Sequence, residues 1–162
     1  MCIRDRSPLA VVVGAIPGAI PPIMGWASAT GEIGLLGWFL FAVLFVWQIP
    51  HFMAISICYA EDYDAAGIKV YSNVWGFKFT RLMIFILTIC LFIVCYSPMI
   101  KGLLSPNYWK AALFFNLVFT ALAVRGFFIK RDLVSEKAWA KSYFWGSIFY
   151  LPLVLCSALF LH

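Results

Sequence analysis

The chain has 162 residues, of which 64% are hydrophobic, 19% aromatic and only 12% charged, and its mean hydropathy is +0.95. A water-soluble domain of this length has too little interior to hide that much apolar surface, so the solvent must be largely lipid. The formal net charge of +5 does not indicate nucleic acid, because the cations sit beside apolar runs and form no basic helix face or RNA-binding motif.

Five apolar stretches are long enough to cross about 30 Å of hydrocarbon at 1.5 Å per residue. They run from Pro8 to Ala29, Leu35 to Cys58, Leu82 to Ile100, Tyr108 to Ile129 and Tyr143 to Leu161. Continuous runs argue against the alternating pattern of a barrel. The predicted fold is an all-α polytopic transmembrane bundle of about five spanning helices.

Residues 1–7, MCIRDRS, are polar and begin abruptly, and are read as a leader foreign to the membrane domain of residues 8–162. Two arginines, an apolar run and Ala27-Ser28-Ala29 imitate a signal peptide. Pro17, Pro21 and Pro22 interrupt that run, however, and with the Gly14/Gly18 GxxxG pair they predict a broken span packed closely on a neighbour. A short turn, Thr30 to Gly34, leads to the second span.

Around Trp47 to Gly67 (WQIPHFMAISICYAEDYDAAG) an apolar span passes a proline and enters the densest acidic cluster of the chain. Pro50 cannot donate to the carbonyl of Val46, so a kink and a free carbonyl are expected near His51. On one continuous helix Gln48, His51, Tyr59 and Asp62 fall within roughly an 80° arc. Buried polar groups are costly in a span, so four at matching phase point to a site rather than to scattered interfacial bonds. His51 alone has two readings, a bond to the freed Val46 carbonyl or a side chain facing a cavity with an unperturbed pKa of about 6.5.

The inner loop Tyr59 to Lys78 is the longest polar stretch. The third and fourth spans are nearly featureless apart from Asn116, expected to act as interhelical glue, and the loop Arg125 to Ser142 is short and basic. The five cysteines (Cys2, Cys58, Cys90, Cys95, Cys156) contain no CxxC pair and read as small apolar fillers. With the N-terminus inside, the inner side collects Arg4, Arg6, Lys69, Lys78, Arg81, Arg125, Lys130, Arg131, Lys137 and Lys141, against Lys101 and Lys110 outside. This asymmetry places the acidic loop on the cytoplasmic face, with an odd number of spans putting the C-terminus outside.

Glu61, Asp62 and Asp64 put three carboxylates within four positions beside a lipid-embedded bundle. Mg²⁺ takes oxygen ligands and is commonly held by one or two carboxylates plus substrate phosphates. A diphosphate leaving group gripped between such a metal and nearby Lys or Arg has its developing charge offset. DYDAAG by itself is a weak signal, since acidic interfacial loops are common.

Three segments, GAIPGAIPPIMGW (Gly14 to Trp26), WQIPHF (Trp47 to Phe52) and EDYDAAGI (Glu61 to Ile68), in this order and spacing, together with the closing AKSYFWGSIFYLP, resemble the protohaem IX farnesyltransferase (haem O synthase) family of UbiA-type intramembrane prenyltransferases. WQIPHF separates this haem branch from the quinone and chlorophyll branches. The resemblance covers the carboxy-terminal half of a nine-helix enzyme. The family's first Asp-rich motif has no counterpart in this chain, and Lys69 stands where the family usually shows proline. On its own, such a half is expected to be inactive.

The resemblance implies transfer of farnesyl from farnesyl diphosphate to a vinyl group of haem B, the substrate, giving haem O for terminal oxidases, with Mg²⁺ acting through the diphosphate. Asp62, five residues before Gly67, takes the position of the family's aspartate. The expected site is Asp62, His51 and Gln48 as catalytic residues, Tyr59, Asp64, Lys69 and Lys141 as substrate-binding residues, and Asp62 with Glu61 as metal ligands. The implied setting is the cell inner membrane, with haem A synthase or terminal-oxidase assembly factors as partners. Two rivals are a non-enzymatic carrier or transporter lined by His51 and Gln48 with Asp62 coupled to protons, and a prenyltransferase for a quinone precursor. Bare third to fifth spans argue against the first, and WQIPHF against the second.

Overall fold

A computed structural model describes residues 7–100, 102 and 105–160. The expectations for Cys2, Arg4, Arg6, Lys101 and nearly all of the leader lie outside these residues. Among the described residues seven helices follow in order: α1 (Ala10–Thr30), α2 (Leu35–Cys58), α3 (Ala60–Ala65), α4 (Tyr71–Val74), α5 (Gly76–Ile100), α6 (Pro106–Arg125) and α7 (Leu133–Phe160). There is no strand among the described residues. Four of the helices, α1, α2, α5 and α6, are long and apolar enough to cross a membrane. The fifth long helix, α7, has 28 residues, and its first turns carry Glu136, Lys137 and Lys141.

Two helices begin well before their apolar runs. α5 starts six residues ahead of Leu82 and α7 ten ahead of Tyr143, so the loop expected at Arg125 to Ser142 shrinks to residues 126–132. Helical hydrogen bonding does not stop where hydropathy does, and Lys, Glu and Arg are good helix formers that can hold their charges at the interface.

α2 is the hub, packing on α1, α5 and α7, while α6 closes the far side against α5 and α7. Its buried face includes Val43, Ile49, Met53, Ala54 and Ile57. α1 touches the rest with a narrow strip, Ala15, Ala19 and Ile23, spaced four apart on one face. It is one uninterrupted helix, which corrects the expected broken span. Prolines are tolerated inside a membrane helix when neighbouring groups and local adjustments absorb the missing bonds, and all three sit within Ala10–Thr30. Half of the GxxxG pair makes a close contact: a Cβ on Gly18 would collide with the Gln48 side chain, whereas Gly14 faces open space. Gly31, at φ 79°, closes α1 by donating its N–H to the Ala27 carbonyl at 2.9 Å, a left-handed position that suits glycine.

α5 and α7 run parallel with α6 antiparallel between them, and a polar ladder joins the two. Arg81 meets Glu136, Thr88 meets Tyr143, and Cys95 meets Tyr150, each pair 55 positions apart. Both series step by seven residues, which keeps each set on one helix face. Tyr150 also donates to Asn116 Oδ1 on α6 at 2.9 Å, and Tyr108 to the Cys95 carbonyl at 3.3 Å. Asn116 therefore does act as interhelical glue, but the expectation of bare third to fifth spans fails. The ladder is built mainly from Thr, Cys and Tyr, which hydropathy scores as neutral or apolar. Among the described cysteines only Cys95 is fully buried, where it belongs to the ladder; Cys58 is half-buried, and Cys90 and Cys156 are exposed on the helix surface.

The short inner elements place most charge at one end of the bundle. Lys69, Lys78, Arg81, Arg125, Lys130, Arg131, Lys137 and Lys141 lie at the end where α2 and α6 finish and α5 and α7 begin, whereas Lys110 lies at the other.

Candidate active site

α2 ends at Cys58, and Tyr59, at φ −114° and ψ 28°, breaks the helix before α3. The stripe expected along one continuous helix is thereby cut. Gln48 and His51 also face different neighbours. Gln48 is buried and donates from Nε2 to the Ala15 carbonyl of α1 at 2.7 Å. His51 Nδ1 lies 2.7 Å from Ser147 Oγ of α7. A rotation of 60° between them on the helix is enough, because α2 is flanked by α1 on one side and α7 on the other.

His51 does not use the Val46 carbonyl. Its ring is stacked between Trp47 and Phe144, with centroids at 4.7 and 4.9 Å. Ser147 Oγ donates to the Phe144 carbonyl at 2.6 Å. A hydroxyl has one proton, so with it committed there, Nδ1–H of His51 donates to Ser147 Oγ and the Nε2 lone pair stays available. Trp47 Nε1 donates to the Ser147 carbonyl at 2.9 Å, so α7 holds the Trp47 and His51 rings of the WQIPHF segment.

The acidic turn is tied back to the end of α2. Ser72 Oγ donates to the Ser56 carbonyl at 2.7 Å, and Asn73 Nδ2 to the Ala60 carbonyl at 3.0 Å. Gly67, at φ 67°, lets the chain turn while its N–H reaches the Asp64 carbonyl. On this platform Glu61, Asp62 and Asp64 are all exposed. Glu61 Oε2 pairs with Lys137 Nζ of α7 at 2.5 Å. Asp62 and Asp64 have no ion pair among the described residues.

Two grooves flank the turn. One, of about 500 Å³, lies between α2 and α7 and is lined by Ile55, Cys58, Tyr59, Lys137, Lys141 and the aromatic pair Phe144 and Trp145. The other, of about 400 Å³, lies between α1 and α2 and includes Phe52, Tyr63 and Lys69. Of the expected substrate-binding residues, Tyr59 and Lys141 are brought together, and Lys69 is on the opposite side. Lys137 also lines this groove, where sequence reading credited it only to membrane orientation. Its spacing of four from Lys141, which puts both ammonium groups on one helix face, was the available signal.

As a metal centre, the turn offers separate carboxylates. Among the described residues no group of three or more His, Cys, Asp or Glu side chains converges, and Glu61 is already engaged by Lys137. Asp62 and Asp64 remain as accessible carboxylates. That donor set fits Mg²⁺ only in the manner of a cation shared with substrate phosphates, since Mg²⁺ keeps waters and takes few protein ligands.

Residues 2–157 match the family described as UbiA prenyltransferase family. Curated relatives named protoheme IX farnesyltransferase include one from Anaeromyxobacter dehalogenans (strain 2CP-C), 40% identical over 98% of this chain and 52% of its own length. Others are from Sorangium cellulosum (strain So ce56), 38% identical over 96% and 54%, and Paraburkholderia xenovorans (strain LB400), 35% identical over 100% and 52%. The chain thus spans about half the length of the curated relatives it matches. No solved structure matches it.

Proposed function

Because the chain belongs to the UbiA prenyltransferase family, we propose that it serves the transfer of a farnesyl group from farnesyl diphosphate to a vinyl group of protohaem IX, yielding haem O. The carrying observation is the groove between α2 and α7, which is lined by Lys137 and Lys141 together with the rings of Phe144 and Trp145, Lys137 being paired with Glu61 of the acidic turn. That polarity matches a substrate with a charged diphosphate head and a long apolar tail.

In this reading Lys137 and Lys141 hold diphosphate oxygens. Glu61 positions the Lys137 ammonium through their ion pair. Asp62 is the metal-facing carboxylate, with Asp64 beside it. When bound, Mg²⁺ supplies charge neutralisation to the departing diphosphate. Tyr59, at the break after α2, lines the mouth. His51, fixed by Ser147 and by two rings, orients the porphyrin or accepts a proton at Nε2 near the reacting vinyl carbon. Gln48 is left holding α1 to α2. The farnesyl C1–O bond breaks as the new C–C bond forms; water supplies the hydroxyl, and diphosphate leaves. A location in the inner membrane with the acidic turn on the cytoplasmic side belongs to the same proposal.

The test is conversion of haem B and farnesyl diphosphate to haem O by the full-length enzyme with and without Mg²⁺. Turnover that requires Mg²⁺, disappears in Asp62→Asn and leaves membrane insertion intact is the expected result. Near-normal turnover in Asp62→Asn would remove Asp62 from the site. Prenylation of a quinone precursor with none of haem B would move the enzyme to another branch of the family.

A further inference from the structure

A second basic feature lies at the same end of the bundle but away from the α2–α7 groove, where α5 begins and the connection from α6 to α7 passes over it. A cavity of about 380 Å³ opens there. One wall is Trp75, Phe79 and Leu82, with Phe127 from the connection completing it. Phe79 and Leu82 are three apart on one face of α5, Trp75 just ahead of that helix meets Phe79 edge-on with ring centroids 5.3 Å apart, and all four side chains are exposed. Aromatic residues exposed at the end of a span are characteristic of the lipid headgroup level.

The rim of this cavity is Lys78, Arg81 and Arg131, and the same three line an adjoining cavity of about 250 Å³ beside Asp132 and Glu136. Both carboxylates are engaged. Glu136 holds Arg81, and Asp132 accepts the backbone N–H of Ser135 at 3.1 Å. Lys78 and Arg131 are exposed and have no ion pair among the described residues. Arg81 is only 7% exposed, and its Nε is buried without a partner. Three cations against two engaged carboxylates leave the rim positive, next to an apolar wall that opens sideways.

We propose that this groove binds an anionic phospholipid, its phosphate against Lys78 and Arg131 and an acyl chain along Trp75, Phe79 and Leu82. Basic pockets between spanning helices are suited to phosphate headgroups. A small soluble anion would use the cations and leave the apolar wall idle.

The test is lipid titration of the delipidated intact chain in detergent, read by native mass spectrometry. The first phosphatidylglycerol should bind at least five-fold more tightly than phosphatidylcholine. Lys78→Gln with Arg131→Gln should weaken it roughly twenty-five-fold, about five-fold for each cation removed. Lys130→Gln makes the same kind of charge change beside Arg131 but lines a different cavity, and should change binding less than two-fold. Equal retention of the two lipids by the unaltered chain, or a Lys130→Gln loss as large as that of Arg131→Gln alone, would overturn the proposal. Displacement of phosphatidylglycerol by millimolar inorganic phosphate would overturn it too, by making the groove a site for small anions.

Discussion

Arg81 on α5 and Glu136 on α7 form a buried ion pair, and that pair is the first rung of a ladder in which every contact joins residues 55 positions apart. Removing one member of a buried pair strands the other charge, which typically costs about 3–5 kcal/mol, whereas replacing both with apolar residues of similar size is near neutral or better. Glu136→Ala should therefore sharply lower the denaturation midpoint in detergent, and Arg81→Met with Glu136→Leu should restore most of it. A double variant as unstable as the single one would show that the pair's position, not its desolvation, matters.

The upper rungs predict smaller effects. Tyr143→Phe loses the 2.7 Å contact with Thr88, and Tyr150→Phe loses those with Asn116 and Cys95. Interhelical hydrogen bonds in membranes average about 0.6 kcal/mol and reach about 1.7. Tyr150→Phe, with two partners, should be the more costly of the two in equilibrium unfolding.

The two glycines of the α1 motif should separate cleanly. Gly18→Ala forces a methyl into the Gln48 side chain and disturbs its bond to Ala15, whereas Gly14→Ala enters open space. Only the first should weaken the docking of α1 on α2, measured as loss of a disulfide engineered between the two helices. Equal losses would place the α1–α2 seam elsewhere.

His51 links structure to the proposed chemistry. Ala at this position removes a ring stacked on Trp47 and Phe144 and frees Ser147. The expected outcome in the full-length enzyme is a large fall in haem O formation, with folded yield and farnesyl diphosphate affinity nearly unchanged. Yield falling in step with activity would make His51 a packing residue.

A pH effect is expected at the start of α7. Hydrogen bonds from Ser135 hold the Asp132 carboxyl below its usual range. A carboxylate with a depressed folded pKa contributes stability above its unfolded pKa and loses it as pH falls through the folded value. The protection factors of the Ser135 and Glu136 amides, taken against their intrinsic exchange rates at each pH, should therefore fall on acidification below about pH 4, and Asp132→Asn should flatten that dependence.

Much of this molecule was legible before any tertiary contact was known. Apolar content required lipid; run lengths located the long helices, matching α2 from Leu35 to Cys58; and the charge asymmetry reappears as one basic end. These properties depend on each segment's own composition and on its neighbours in sequence. The candidate site was only half legible for the opposite reason. Periodicity on an unbroken helix put Gln48, His51, Tyr59 and Asp62 on one stripe, but the break at Tyr59 and the presence of α1 and α7 on either side of α2 separated them. Lys137 could be assigned to the groove only once folding carried it 76 positions back to Glu61. The ladder from Arg81 to Tyr150 likewise has no local signature, because a side chain's partner across 55 residues is chosen by how helices dock, and docking is a property of the assembled bundle.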